Sequence, residues 1–263
     1  MYIIKVDIFI IKNKYILIYN KNLKFTYSLG GLMALNINKS MKNMGENNSQ
    51  YAYRVLKDNI MNLNLSPGQI LNENELIDIL GISRTPIREA VFKLKDEALI
   101  NVYPQKASIV APIDLNRVEE AFFLRKIVEI EVLKLCCESC ETKHLKELEK
   151  NIYLQEIVVN IEEDKREFFS LDNDFHSIIY NSVNKSRVWK TIKTFSSHYD
   201  RLRYLDIIEK TNLVNLLNQH KEIINIIKTK DLSKVEPLLM KHLTNFRGEL
   251  PVFMEKYGNF FEK

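Results

Sequence analysis

Over residues 51–63 the apolar positions Val55, Leu56, Ile60 and Leu63 recur at helical spacing, and Ser66-Pro67-Gly68 then stops the pattern. Residues 69–71 read as a short extended link. Asn72 can cap a second helix through Leu80, with Leu76, Ile77 and Leu80 inward, and Gly81 falls where a helix ends in left-handed backbone. Only Ile82 intervenes before Ser83, which can cap a third helix with Pro86 in its first turn and Ala90, Val91 and Leu94 beginning its apolar face. Two helices joined by so tight a glycine turn predict a helix-turn-helix. After Leu99, residues 100–103 and 108–111 run apolar and β-branched around Pro104-Gln105-Lys106-Ala107, which predicts a hairpin. Three helices followed by a hairpin make a winged helix over residues 50–112.

Beyond Pro112 the periods lengthen. Helices are predicted from Asp114 to about Glu138, from Thr142 to about Asn160, over 162–183, from Asn184 to about Ile208, over 211–228, and from Asp231 to about Tyr257. Residues 113–263 therefore form an all-helical bundle with short links, and the fold class is mainly α. Residues 1–49 fit neither domain: the start is rich in Ile and Tyr but broken by Lys5, Asp7, Lys12 and Lys14, and 36–50 is polar and Asn-rich. They are expected to be a poorly ordered or non-core extension, a translated upstream segment of a chain whose natural start is Met33, Met41 or Met44.

Composition supports this division. The 263 residues are 46% hydrophobic with only 7 Gly and 6 Pro, as in a helix-biased chain long enough for two modest domains. No apolar run approaches the roughly 20 residues that span a bilayer, and no export signal is legible, so no membrane partner is expected. Cys136, Cys137 and Cys140 fall within one predicted helix; their odd count and the lack of a second pair favour small buried hydrophobes over a disulfide or zinc framework. Together these features place the chain in a reducing cytoplasm.

Charge adds a constraint. The formal net charge is +4, yet residues 51–110 hold seven basic and seven acidic side chains, and the first fifty residues carry an excess of five positive charges. Bulk electrostatics therefore does not argue for nucleic-acid binding by the winged helix, and the case rests on placement. Arg84 and Arg88 lie four apart near a helix N-terminus and share a face, where a recognition helix presents side chains to a major groove. Two solvated arginines on a surface helix are the plainer alternative.

The bundle carries a second constellation. Asp172 and His176 lie four apart on one helix face, His220 sits among Leu216, Leu217, Ile223 and Ile224, and His242 among Leu238, Leu239 and Leu243. A carboxylate and three imidazoles projecting into a bundle make a divalent-metal site, although each histidine alone is more often a satisfied core or boundary residue. His176, His198, His220 and His242 are each 22 residues apart, but their surroundings do not repeat, and His198 is read as a pocket-rim or surface residue. His144, in a charged helix start, is expected to face solvent. Arg125, four before Glu129, and Arg201 and Arg203 could clamp an anionic ligand, against ordinary surface ion pairs.

Leu65-Ser66-Pro67-Gly68, Gly81 through Ala90, Leu94 and Leu99-Ile100 resemble the winged-helix domain of the GntR superfamily of bacterial transcription factors, and the helical half resembles the FadR-type ligand-binding domain called FCD, together over about residues 51–248. The resemblance implies DNA contacts from Ser83, Arg84, Thr85 and Arg88, a phosphate contact from Arg54, and a weaker one from Lys106 at the wing. It implies metal ligation by Asp172, His176, His220 and His242, with Zn²⁺ first and Ni²⁺ or Mn²⁺ as alternatives. It also implies effector binding by Arg125, Arg201 and Arg203, and a helix-capping rather than ligand-binding role for Asn184. The chain departs from the pattern at Ala98, where relatives carry Gly, and at Lys106-Ala107, where they carry a basic-Gly pair.

These expectations describe a homodimeric transcriptional regulator, a repressor on this reading and not an enzyme. It binds double-stranded operator DNA and responds to a small organic acid held beside a metal. A metal-dependent enzyme with an N-terminal docking module is the alternative, and a purely structural metal a third. The sequence leaves open the effector, the operator and its genes, repression against activation, the physiological metal and whether 1–49 belongs to the native protein.

Overall fold

The computed structural model describes residues 7–11, 15–20, 23–28, 35–36, 42–104, 107–161, 165–209 and 213–262. The chain forms two compact units, residues 1–113 with 259–263, and residues 114–258. Among the described residues no helix is long and apolar enough to cross a membrane.

The first unit opens with strands β1 (Asp7–Ile11), β2 (Tyr15–Asn20), β3 (Leu23–Ser28) and β4 (Leu35–Asn36), antiparallel neighbours in chain order. The Ile- and Tyr-rich composition suits strands, and the charges at 12 and 14 that break the apolar runs fall between β1 and β2. Leu35 is fully buried in the core of this unit, so the segment read as non-core supplies a core residue.

Helix α1 (Asn48–Met61) begins ahead of the apolar period that predicts it. The Asn47 side chain accepts from the Gln50 N–H at 2.8 Å and the Gln50 side chain accepts from the Asn47 N–H at 2.9 Å, a capping box inside the stretch that reads as a polar lead-in. Strand β5 (Ile70–Leu71) leads into α2 (Glu73–Leu80), whose Asn72 cap accepts from the Asn74 and Glu75 N–H groups. Gly81 then ends α2 at φ 67°, a conformation that costs glycine little. Helix α3 (Arg84–Asp96) follows, with Ser83 in extended backbone at its N-cap but making no side-chain cap bond. Strands β6 (Ile100–Tyr103) and β7 (Ala107–Val110) close the wing, and the small sheet has the order β5-β7-β6. Lys106, the wing candidate, lies outside the described residues. Leu56, Ile60, Leu76, Ile87, Leu94 and Leu99 are fully buried between these elements.

Ala98 ends α3 with φ 56°. Its turn is fixed by the Leu99 N–H donating to the Leu94 carbonyl at 2.9 Å, so an L-residue is held in left-handed backbone at a cost of about 1 kcal/mol. Ala98→Gly is expected to raise the thermal midpoint of this unit by a few degrees, roughly 2–8 °C, in a calorimetric scan.

The second unit contains α4 (Leu115–Ser139), capped by Asp114, then α5 (Thr142–Ile161) and α6 (Lys165–Ser182). Helices α7 (Ser186–Phe195), α8 (Ser197–Ile208) and α9 (Leu213–Thr229) follow, and a 3-10 turn at 232–234 leads to α10 (Val235–Leu243) and α11 (Asn245–Lys256). Two spans expected as single helices are therefore broken, at Ser196 and at Thr244. The second break leaves the Leu243 carbonyl to accept from the Tyr199 hydroxyl at 2.9 Å, which satisfies a group the helix no longer serves.

Asn184 does not start α7. At φ 58° it closes α6, where the Lys185 N–H returns to the Tyr180 carbonyl at 2.8 Å, a left-handed position that asparagine tolerates. Cys136 and Cys137 are buried, and burial raises the Cys136 thiol to about 12, so it behaves as a core residue and not a nucleophile.

Candidate metal centre and DNA-contact residues

Three helices of the second unit bring four inward residues to one point. Asp172 and His176 come from consecutive turns of α6, His220 from the middle of α9 and His242 from the last turn of α10. All four are buried, and one ligand-type atom from each lies within 4.8 Å of the others. The resemblance had placed these residues together, and the helix packing brings them to a single site.

The outer partners decide what the imidazoles can do. His176 Nδ1 lies 3.0 Å from Glu129 Oε2, His220 Nδ1 lies 2.8 Å from Gln155 Oε1, and His242 Nδ1 lies 2.9 Å from Gln219 Oε1. Each partner atom only accepts, so each Nδ1 carries the proton and each Nε2 presents a lone pair inward. Those lone pairs face one another: His176 Nε2 and His242 Nε2 are 3.1 Å apart, and His220 Nε2 is buried without a hydrogen-bond partner, with Asp172 Oδ1 at 3.4 Å. Three inward lone pairs and a carboxylate, oriented by outer acceptors, fit a divalent cation. Phe175 stacks on His220 at 4.3 Å between centroids and Trp189 lies flat beside His176 at 5.8 Å, which fixes the rings.

Electrostatics favours neutral imidazoles at His220 and His242. Burial, reinforced by His220 and His176, holds His242 well below the usual imidazole range. Burial also lowers His220, with Asp172 partly offsetting it. Burial opposes ionisation of Asp172, but Arg203, His220 and His176 hold its carboxyl well below the usual range. Glu129 is held low in the same way, with Arg125 and His176 outweighing its burial.

The outer acceptors were not singled out as site residues. Gln155 nonetheless occupies the inward stripe of α5 with Leu148 and Ile152, and a polar side chain at such a position is a readable cue. Its amide is fixed because Gln155 Nε2 donates to Asn151 Oδ1 at 2.6 Å.

A small cavity beside the ligands is lined by residues that include Arg125, Asp172, Arg203, Asn245 and Phe246, and its volume is about 20 Å³, room for about one water. Arg125 is buried, donates from Nε to Glu129 Oε1 at 2.5 Å, and has both Nη atoms buried without a hydrogen-bond partner. The surface ion pair expected as the plainer alternative is thus a buried one with spare donors. Arg203 holds Asp172 through Nη2 and Asp200 through Nη1, the latter at 2.7 Å, and so orients the ligand carboxylate. Arg201 does not line this cavity, because residues two apart on a helix point to different sides; its Nη2 lies 3.1 Å from His198 Nδ1. His198 is buried rather than at a rim, and it accepts from the Asp114 N–H at 3.0 Å at the head of α4. His144 is half-buried beside Glu147.

In the first unit, Ser83, Arg84, Thr85 and Arg88 are all exposed at the start of α3. Arg88 Nε lies 3.1 Å from both carboxylate oxygens of Glu73, and Arg84 Nη2 donates to Asn74 Oδ1 at 2.6 Å. Arg54 is held by Glu46 through two bonds of 2.8 Å, and the guanidinium brings the Glu46 carboxyl down to about 2.

Known proteins share both halves. Residues 48–110 match the bacterial regulatory proteins of the gntR family, and residues 120–245 match the FCD domain. The HTH-type transcriptional repressor RspR of Escherichia coli (strain K12) is 27% identical over 82% of this chain and 94% of its own. An HTH-type transcriptional regulator in an unstable DNA locus of Streptomyces ambofaciens is 33% identical over 76% of this chain and 83% of its own. The solved structure of E. coli McbR/YncC shares the fold with a TM-score of 0.63 at 20% identity, over 80% of this chain and 99% of that one. These likenesses set aside the metal-dependent enzyme: the chain belongs to the GntR family of DNA-binding transcriptional regulators, with a winged helix-turn-helix ahead of an FCD domain.

Proposed function

We propose that the protein is a homodimeric, cytoplasmic repressor whose affinity for a pseudo-palindromic operator is set by a small organic acid bound beside a divalent metal. Arg84 and Arg88 take the base edges, Ser83 and Thr85 the flanking phosphates, and Arg54 and Lys106 further backbone contacts. Asp172, His176, His220 and His242 hold the cation, Zn²⁺ first given the three imidazoles and one carboxylate, with Ni²⁺ or Mn²⁺ as alternatives. The metal supplies a Lewis-acidic anchor for a carboxylate. Residues 50–112 carry the output and 113–263 the input, with 1–49 outside both roles. The repressor reading is supported by the name of the E. coli relative. Pairing of two chains is supported by Phe123 and Ile127, exposed one turn apart on α4.

One observation carries the effector reading: the two Nη atoms of Arg125 are buried without hydrogen-bond partners, and Arg125 lines a cavity that also reaches Asp172 and His242. Unmet buried donors cost free energy, and a carboxylate bridging metal and guanidinium would satisfy them. The space admits little beyond one small group, so a larger acid must displace Leu216 or Phe246, and that repacking is a route from ligand to bundle. Arg203, already committed to Asp172 and Asp200, orients the ligand set more than it clamps the acid. The test is a thermal-shift titration of the metal-loaded protein with short carboxylic acids. Wild type is expected to be stabilised by at least one acid, and Arg125→Lys, which keeps the charge but loses the planar fork, to bind it about tenfold more weakly. Equal stabilisation of both proteins would contradict the assignment.

A further inference from the structure

Glu73 opens α2 directly against the recognition helix. Its carboxylate lies 3.1 Å from Arg88 Nε and 3.7 Å from Arg84 Nε, and all three side chains are solvent-facing, at 30%, 56% and 53% exposure. Arg54 is paired in the same manner by Glu46, so each of the three arginines in residues 51–110 faces a carboxylate of its own unit. Exposed ion pairs add little to stability. Their consequence falls on what the arginines can bind.

We propose that Glu73 is an internal phosphate surrogate, a positioning and selectivity residue that occupies Arg84 and Arg88 in the free protein and must be displaced by DNA. The inference rests on the reading that these two arginines contact DNA. On a random duplex the guanidinium groups find phosphates but no matching set of base edges, and Glu73 competes with the phosphates directly. An operator offers base edges as well, so it pays the displacement from a larger interaction. Glu73 takes Arg88 at Nε with both carboxylate oxygens. The neutral balance of residues 51–110 then acts as a filter: weak attraction for DNA in general, with cationic contact released where the sequence fits.

Glu73→Gln isolates the charge, because a glutamine oxygen can still accept from Arg88 Nε. The probes are a random-sequence duplex and a duplex enriched by the wild-type protein from a random pool, titrated by fluorescence anisotropy over a range of salt. Glu73→Gln is expected to tighten random-duplex binding roughly fivefold at low salt and to steepen its log–log salt slope by about 0.9, equivalent to one more phosphate contact. The enriched duplex should gain less, so the specificity ratio falls. Glu75→Gln removes the same charge from the same helix turn and should leave the ratio unchanged. In an Arg84→Ala, Arg88→Ala background the effect of Glu73→Gln should vanish. Unchanged or weaker random-duplex binding by Glu73→Gln would overturn the proposal, as would an equal gain from Glu75→Gln or a gain that persists without the arginines. If the double arginine variant itself keeps enriched-duplex binding, the parent reading of Arg84 and Arg88 falls instead.

Discussion

Arg84→Ala, Arg88→Ala is expected to lose at least about thirtyfold in affinity for its enriched duplex while keeping its helix content and thermal midpoint. An arginine on a base edge or phosphate contributes about 1–3 kcal/mol, so the pair removes about 2–6 kcal/mol of binding. The salt dependence should flatten by about two phosphate equivalents if both touch the backbone, and by less if they read bases. The fold should tolerate the change because both side chains are more than half exposed and α3 is anchored by Ile87, Ala90, Val91 and Leu94 on its opposite face. Loss of the exposed pairs with Glu73 costs at most about 1 kcal/mol. Electrophoretic mobility shift and circular dichroism on the same preparation separate the two outcomes. A folded variant that binds as tightly as wild type would show that the octapeptide from Ser83 to Ala90 is not the reading surface.

Loss of the proposed metal is the second large effect expected. A strong chelator, or His242→Ala, is expected to lower the thermal midpoint of the second unit by roughly 5–10 °C, since a cation bound at about a hundred times its dissociation constant stabilises by about 2.7 kcal/mol. His242 is the cleanest ligand to remove: Gln219 Oε1, which accepts from its Nδ1, also accepts from Asn245 Nδ2 at 2.8 Å, so truncation strands no buried acceptor there. Removing Asp172 instead would leave Arg203 Nη2 without its carboxylate, with Asp200 still on Nη1. Acid should act in the same direction. His220 and His242 are held below the usual imidazole value, so the unfolded chain binds protons that the folded one refuses. Their contribution is present above about pH 6.5 and is lost as pH falls, while protons also displace the cation from Nε2. Chelated and untreated protein scanned from neutral to mildly acidic pH should therefore converge at the low end.

Legibility in the sequence followed the range of the interactions involved. Gly81, Asn72 and Asp114 act within one turn of themselves, and their positions were readable because capping depends on neighbours. The grouping of Asp172, His176, His220 and His242 was readable because Asp172 and His176 sit one helical turn apart and the later histidines interrupt apolar stripes. Glu129, Gln155 and Gln219 were not singled out as outer acceptors, because each acts on a residue 47, 65 or 23 positions away and no local period links them. The breaks at Ser196 and Thr244 were hidden for a related reason: apolar periodicity continues through both, and the carbonyl freed at Leu243 is met by a tertiary bond from Tyr199 that no local pattern signals. Arg201 and Arg203 looked equivalent in the sequence, and the helix turn between them sends only Arg203 to the cavity. At the amino end, the capping box of Asn47 and Gln50 lay inside an Asn-rich stretch whose composition masked it.

The proposed metal centre rests on three inward-facing imidazole nitrogens and a carboxylate that a divalent cation would reconcile. Elemental analysis of protein purified without chelator measures this directly. Roughly one divalent ion per chain is expected in wild type and almost none in a His220→Ala, His242→Ala variant that remains folded. A wild-type protein free of transition metal, and unable to take up Zn²⁺, Ni²⁺ or Mn²⁺ on dialysis, would contradict it.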